Sequence, residues 1–265
     1  MTTSPPLIIS VSGIRGIVGA SFTDDTVRRF AHAFATELPM NARILLARDT
    51  RPSGENFAAV AIKSLAEAGC HVFDLGVCAT PAAKLMVLEL QAHAALILTA
   101  SHNPADWNGM KLVRADGIFL DAAAGRRVES AYHRSKRRTG DGRVESVARD
   151  DVESRLLRRI LDVVDVDAIR AAHLRVAVDP CNGTGALFLP RLFEALAVSA
   201  HFIHDTPDGQ FAHEPEPIAE NLVDLSRAVT EAGCQVGFAT DPDADRVALV
   251  GETGQPLGED LTLAL

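Results

Sequence analysis

The hexapeptide DPDADR at 241–246 places three carboxylates, Asp241, Asp243 and Asp245, at alternate positions between two apolar runs. On an extended or looping segment this spacing turns side chains to one side. Three hard oxygen donors at a strand's carboxyl end suit Mg2+, particularly where a phosphate oxygen completes the shell. A calcium loop competes for the same residues, since Glu252 falls where that loop carries its last ligand. Its obligatory glycine position, however, is Arg246, Pro242 interrupts it, and the flanks read as strands. A solvated acidic turn is the plain alternative, and the Arg246 that follows and the buried flanks weigh against it.

A second motif, TASHNP at 99–104, follows an apolar run and places Ser101 in an irregular loop held by Asn103 and Pro104. Ser101 is either a turn former or a phosphate-carrying hydroxyl beside a metal, a role that needs no proton relay. His102 is adjacent, and on an extended chain successive side chains diverge, which argues against a hydrolase triad. It remains a candidate contact for phosphate or substrate. SGIRG at 12–16 sets Arg15 between glycines that admit close backbone approach to an anion, and ARDTR at 47–51 puts Arg48 and Arg51 after a strand. Each arginine is either a phosphate ligand or a structural ion-pair residue. Lys111 in WNGMK lies ten residues after Ser101, within reach of a hairpin that would return it as a proton-transfer group. A solvated surface lysine is the alternative.

Positioning these residues requires a layered scaffold. Apolar runs at 43–48, 70–75, 94–99, 174–179, 235–240 and 247–251 read as strands. Between them, 24–38, 53–68, 81–90, 184–197 and 222–232 repeat apolar residues at helical spacing, with Ser53 a candidate N-cap. The alternation predicts an α/β fold: two tandem three-layer α/β/α domains with mixed, largely parallel sheets. The string EAGC recurs at 67–70 and 231–234, each time where a helix hands over to a strand. Gly69 and Gly233 would supply the left-handed helix end. A polar stretch at 139–151 suggests domains at 1–150 and 151–265. The chain closes on an apolar helical start at 258–265, which suggests a longer architecture.

Twenty-six basic against 35 acidic residues give a formal charge of −9, which argues against nucleic acid or anionic lipid as partners. The basic run at 126–138 reads as a solvated helix face. Four cysteines without a C-x-x-C pair fit a reducing compartment, and no stretch approaches a membrane span. A cytoplasmic protein is expected; the oligomeric state is not legible.

In order along the chain, SGIRG, TASHNP with WNGMK, DPCNGTG at 179–185, the loop at 207–222 and DPDADR resemble the α-D-phosphohexomutase superfamily. The resemblance implies phosphorylation of Ser101 and an Mg2+ shell of Asp241, Asp243, Asp245 and one phosphoserine oxygen. It also implies Lys111 and His102 as acid/base groups, and Arg15 and Arg246 as phosphate holders. The implied reaction moves phosphate between the 1 and 6 positions of a glucose, mannose or glucosamine phosphate, with a hexose 1,6-bisphosphate as activator. Neither the sugar-recognition loop of that family's third domain nor the phosphate-binding loop of its fourth is present in the 265 residues. The expectation is therefore a first half that binds Mg2+ and turns over poorly alone. A non-catalytic phosphosugar-binding or interaction module is the alternative, and a metal-dependent phosphatase a third.

Overall fold

The computed structural model describes residues 6–10 and 13–264, so Ser12 of the SGIRG motif lies outside the described residues. The elements are β1 (Ile8–Ser10), β2 (Gly13–Ile17), α1 (Asp24–Thr36), β3 (Arg43–Arg48), α2 (Gly54–Glu67), β4 (His71–Val77) and α3 (Thr80–Glu89). Next come β5 (Ala94–Leu98), β6 (Trp107–Arg114), α4 (Ala122–His133), β7 (Val144–Ser146), α5 (Arg149–Leu161), α6 (Val166–Ala171), β8 (Arg175–Asp179) and α7 (Gly185–Ala195). The chain continues through β9 (Ser199–Phe202), α8 (Val223–Glu231), β10 (Val236–Thr240), β11 (Val247–Gly251) and α9 (Gly258–Ala264). They form two compact units. The first holds the residues up to Ala100 and Asp106–Val152, and the second holds Ser101–Ala105 and Glu153–Leu265.

The first unit carries a seven-stranded sheet in the order β1-β2-β6-β5-β3-β4-β7, antiparallel from β1 through β5 and parallel from β5 through β7. The continuous apolar runs of β3 and β5 are explained by burial on both faces. Ile44, Leu46, Leu96 and Leu98 share a core with Phe30, Phe34 and Phe57 of α1 and α2. Their alternates Leu45 and Ile97 are equally buried outside that cluster, and α3 packs on the same two strands. Helices thus cover both faces.

The second unit carries a four-stranded sheet in the order β11-β10-β8-β9, with β10, β8 and β9 parallel and β11 antiparallel. α8 lies against β8 and β10, and its approach requires Gly237, where a Cβ would come within 2.7 Å of Val229. α7 meets β9, with Phe193 near Phe202 and Phe238. The fold is the expected pair of three-layer α/β/α domains with mixed sheets.

Gly69 and Gly233 have φ of +76° and +60°, so both copies of EAGC end a helix as expected. Ser53 occupies the N-cap position of α2, but its side chain makes no capping bond. Its hydroxyl instead accepts from Asn108 Nδ2 at 2.8 Å, because the residue has helical dihedrals that aim Oγ away from the turn. Five strands were not expected from pattern: β1, β2, β6, β7 and β9. β7 lies within the polar stretch at 139–151, where an all-exposed strand pairs with β4. Among the described residues, no helix is long and apolar enough to cross a membrane.

Candidate functional site

β10 and β11 pair in antiparallel register with Thr240 opposite Val247, so the DPDADR residues form the connection between them. Ala244, at φ +53°, turns the loop, and its N–H donates to the Asp241 carbonyl at 2.9 Å. Asp241 Oδ1 accepts from the backbone N–H groups of Asp245 and Arg246 at 3.1 and 3.2 Å. The loop therefore wraps around its first carboxylate, and oxygens of Asp241, Asp243 and Asp245 lie within 4.8 Å of one another. Asp241 and Asp243 are buried and Asp245 is exposed.

Neighbouring segments brace this loop. The Pro242 carbonyl accepts from the Thr184 N–H at 2.8 Å and from its hydroxyl at 3.1 Å. The Gly-Thr-Gly of DPCNGTG thus supports the aspartates, a role that spacing alone did not reveal. Arg246 Nε donates to Asp241 Oδ2 at 3.3 Å, while its Nη2 is buried with no hydrogen-bond partner among the described residues.

Ser101 belongs by packing to this second unit, although it follows β5 of the first in the chain. The residue is 3% exposed, and its hydroxyl donates to Asp241 Oδ2 at 2.8 Å. Ser101 has φ +51°, so the backbone is not extended there. His102 consequently folds back, with Nδ1 3.4 Å from Ser101 Oγ. The expected divergence of the two side chains does not hold for this conformation. His102 Nε2 lies 3.8 Å from Glu216 Oε1. Glu216 sits in the 207–222 loop and was not singled out from sequence, since no local spacing ties it to Ser101.

Burial, followed by the charges of Asp243 and Asp245, pushes the Asp241 carboxyl up to about 7, against the opposing pull of Ser101 and Arg246. Three carboxylates facing one guanidinium are short of positive charge. All their donors are hard oxygens, a set that fits Mg2+.

The remaining candidates lie in the first unit. Arg15 on β2 pairs with Gly109 on β6, and Lys111 is two residues further along β6, so both cations occupy the same face of the sheet. Gly109 makes room for this arrangement, since a Cβ there would stand 3.1 Å from Arg15 Cγ and 2.7 Å from the Thr99 carbonyl. Lys111 is 5% exposed, with Nζ 5.7 Å from the Phe119 ring centroid. It is not the solvated surface lysine of the alternative. Arg48 lies along Gly54 at the start of α2. Arg51 is fully buried, bonded to Asp49 Oδ2 through Nε at 3.1 Å and to the Trp107 carbonyl through Nη1 at 2.9 Å. Both of these bonds are made within the first unit.

Two consecutive α/β/α domains, with a serine hydroxyl bonded to a loop of three clustered carboxylates in the second unit, define a class of multidomain α/β protein with an acidic group that could hold a metal ion. Residues 7–139 match the phosphoglucomutase/phosphomannomutase α/β/α domain I and residues 154–254 match domain II of the same family. The chain belongs to the phosphoglucomutase/phosphomannomutase family. It is 35% identical over 264 residues to a phosphoglucomutase/phosphomannomutase of Thermococcus kodakarensis, covering 96% of this chain and 57% of that protein. It is 33% identical to a phosphomannomutase/phosphoglucomutase of Pseudomonas syringae, covering 98% and 55%. Among solved structures, a phosphoglucomutase/phosphomannomutase family protein from Burkholderia thailandensis superposes with a TM-score of 0.80 at 27% identity, over 94% of this chain and 57% of that one. A Thermus thermophilus protein assigned as a phosphomannomutase gives 0.85 at 27%, over 96% and 59%. The chain thus spans a little over half the length of the curated relatives it matches.

Proposed function

We propose that this chain supplies the phosphoserine and metal-binding domains of a phosphohexomutase acting on glucose, mannose or glucosamine phosphates. One observation carries the reading: the Ser101 hydroxyl donates at 2.8 Å to Asp241, 140 residues away in sequence. Asp241, Asp243, Asp245 and an oxygen of phosphorylated Ser101 are the proposed holders of Mg2+. When bound, the ion contributes positive charge that lowers repulsion among three carboxylates and a phosphoryl group.

The chain's own residues then handle phosphate and protons. In the first transfer a sugar hydroxyl oxygen forms a bond to the phosphorus on Ser101 while the Oγ–P bond breaks. The hydroxyl proton passes through Lys111 or His102, and Ser101 Oγ ends protonated. In the second transfer Oγ bonds to the phosphorus at the other end of the hexose 1,6-bisphosphate. The departing sugar oxygen receives the proton. Arg15 and Arg246 hold the reacting phosphates, and the buried Nη2 of Arg246 is a donor available for that purpose.

Since the relatives are longer, the full isomerisation is proposed for a protein containing these domains. The 265 residues alone are expected to exchange phosphate at Ser101 and to isomerise hexose phosphate slowly or not at all. Intact-mass spectrometry after treatment with a hexose 1,6-bisphosphate tests the reading. The expected result is a gain of one phosphoryl group that is absent from Ser101→Ala. No gain in the wild-type chain would favour the non-catalytic binding module.

A further inference from the structure

The second unit contains another convergence of ligating side chains, built from residues separate from the aspartate loop. Asp179 ends β8, His204 follows β9, and His213 lies in the loop beyond, and one ligand atom from each falls within 4.8 Å of the others. Asp179 Oδ2 stands 3.0 Å from His204 Nδ1 and 3.0 Å from His213 Nε2, and the carboxylate is fully buried. Its Oδ1 accepts from the Cys181 N–H at 2.9 Å, which fixes its orientation.

The outer nitrogens also face oxygens, closely in His213 and at longer range in His204. His213 Nδ1 lies 2.8 Å from the Glu214 carbonyl, and His204 Nε2 lies 3.5 Å from Asp224 Oδ2. His213 therefore meets oxygen acceptors with both nitrogens, whereas a neutral ring has a single N–H. With Nδ1 of His213 donating to the Glu214 carbonyl, its Nε2 meets Asp179 through an added positive species, either a second proton on the ring or a metal ion shared with His204. Outer nitrogens held by a carbonyl or carboxylate are the usual support of metal-binding histidines.

The frame is prearranged. Asn182 donates its N–H to the His204 carbonyl at 2.8 Å and its Nδ2 to the Thr206 carbonyl at 3.0 Å, and its Oδ1 accepts from the Ala212 N–H at 3.0 Å. One side chain thus fastens both histidine-bearing segments to the turn after Asp179.

We propose that Asp179, His204 and His213 form a second metal site, selective for a borderline divalent ion such as Zn2+, that braces the loop carrying Glu216. Tetrahedral zinc with these donors spaces its ligand atoms about 3.4 Å apart, so the two 3.0 Å contacts need open only slightly. Two imidazoles and one carboxylate favour zinc over magnesium, in contrast to the all-oxygen aspartate loop.

Titration of the chelator-treated 265-residue chain with Zn2+ tests the site, followed by calorimetry. The variant Asp241→Asn/Asp243→Asn/Asp245→Asn removes the other cluster. It is expected to bind one equivalent of Zn2+ with release of protons and a rise in Tm. His213→Ala in that background should weaken binding at least about 100-fold, and Asn182→Ala about 10–100-fold. Should the histidine variants fail to fold, ring-nitrogen NMR shifts of His204 and His213 on adding Zn2+ decide the matter in the parent variant. No zinc uptake by the triple variant, unchanged affinity in a folded His213→Ala protein, or unmoved ring shifts would overturn the proposal.

Discussion

A side chain on Gly183 would place its Cβ 2.6 Å from Pro242 Cα, so the turn after β8 touches the aspartate loop backbone to backbone. Only glycine permits this approach, and the adjoining Thr184 bonds the same proline's carbonyl. Gly183→Ala must displace Asp241 and Asp243 or the turn itself. It is expected to cost about 1–3 kcal/mol of stability, as overpacking does, and to weaken Mg2+ binding. Urea unfolding and metal titration read the two effects, and a neutral outcome in both would show that the loop is supported elsewhere.

Removing a charge from the carboxylate cluster has opposite consequences with and without metal. Because burial, then Asp243 and Asp245, raise the Asp241 carboxyl, Asp243→Asn relieves repulsion and should raise the Tm of the metal-free chain. The same variant should lose the stabilisation expected from Mg2+ in the wild type, about 2.7 kcal/mol at a metal concentration 100 times Kd. Thermal scans with and without Mg2+ supply the comparison; a fall in the metal-free Tm would contradict the account.

Arg51 and Asp49 form a buried ion pair in which Asp49 also accepts from Thr99 Oγ1 at 2.7 Å. Arg51→Ala would deprive a buried carboxylate of its ion-pair partner, a change that typically costs about 3–5 kcal/mol. Equilibrium unfolding should register a loss of that order. Phosphate uptake at Ser101 by the fraction that remains folded should persist, separating this residue from Arg15 and Arg246.

His32, buried on α1 of the first unit, links stability to pH. Desolvation, then the charge of Arg137, holds its pKa below the ordinary 6.5, with Arg28 adding to this and Glu67 opposing it. The unfolded chain therefore binds a proton at a pH where the folded chain does not. No penalty exists above the unfolded value; stability is lost as pH falls below 6.5 and levels off beneath the folded pKa. The slope cannot exceed about 1.36 kcal/mol per pH unit for one proton. Comparing urea midpoints of wild type and His32→Gln at pH 7 and pH 5 tests this, the variant being expected to show the shallower dependence.

What the sequence determined by itself was local. The aspartates at alternate positions, the apolar runs of β3, β5, β8, β10 and β11, and the glycines of EAGC are legible because each depends on a residue's immediate neighbours and on steric limits of the backbone. Strands such as β7 and β9 escaped that reading, since edge strands exposed to solvent need no apolar pattern. Tertiary structure alone decided which distant groups meet. It bent His102 back towards Ser101 through a positive φ, buried Arg51 against Asp49, and gathered Asp179, His204 and His213 from three segments. It also set Ser101 against Asp241 across 140 residues. Such pairings follow from strand order and loop path, which fix spatial neighbours by packing of the whole unit and leave no periodic trace in the residues that make the contact.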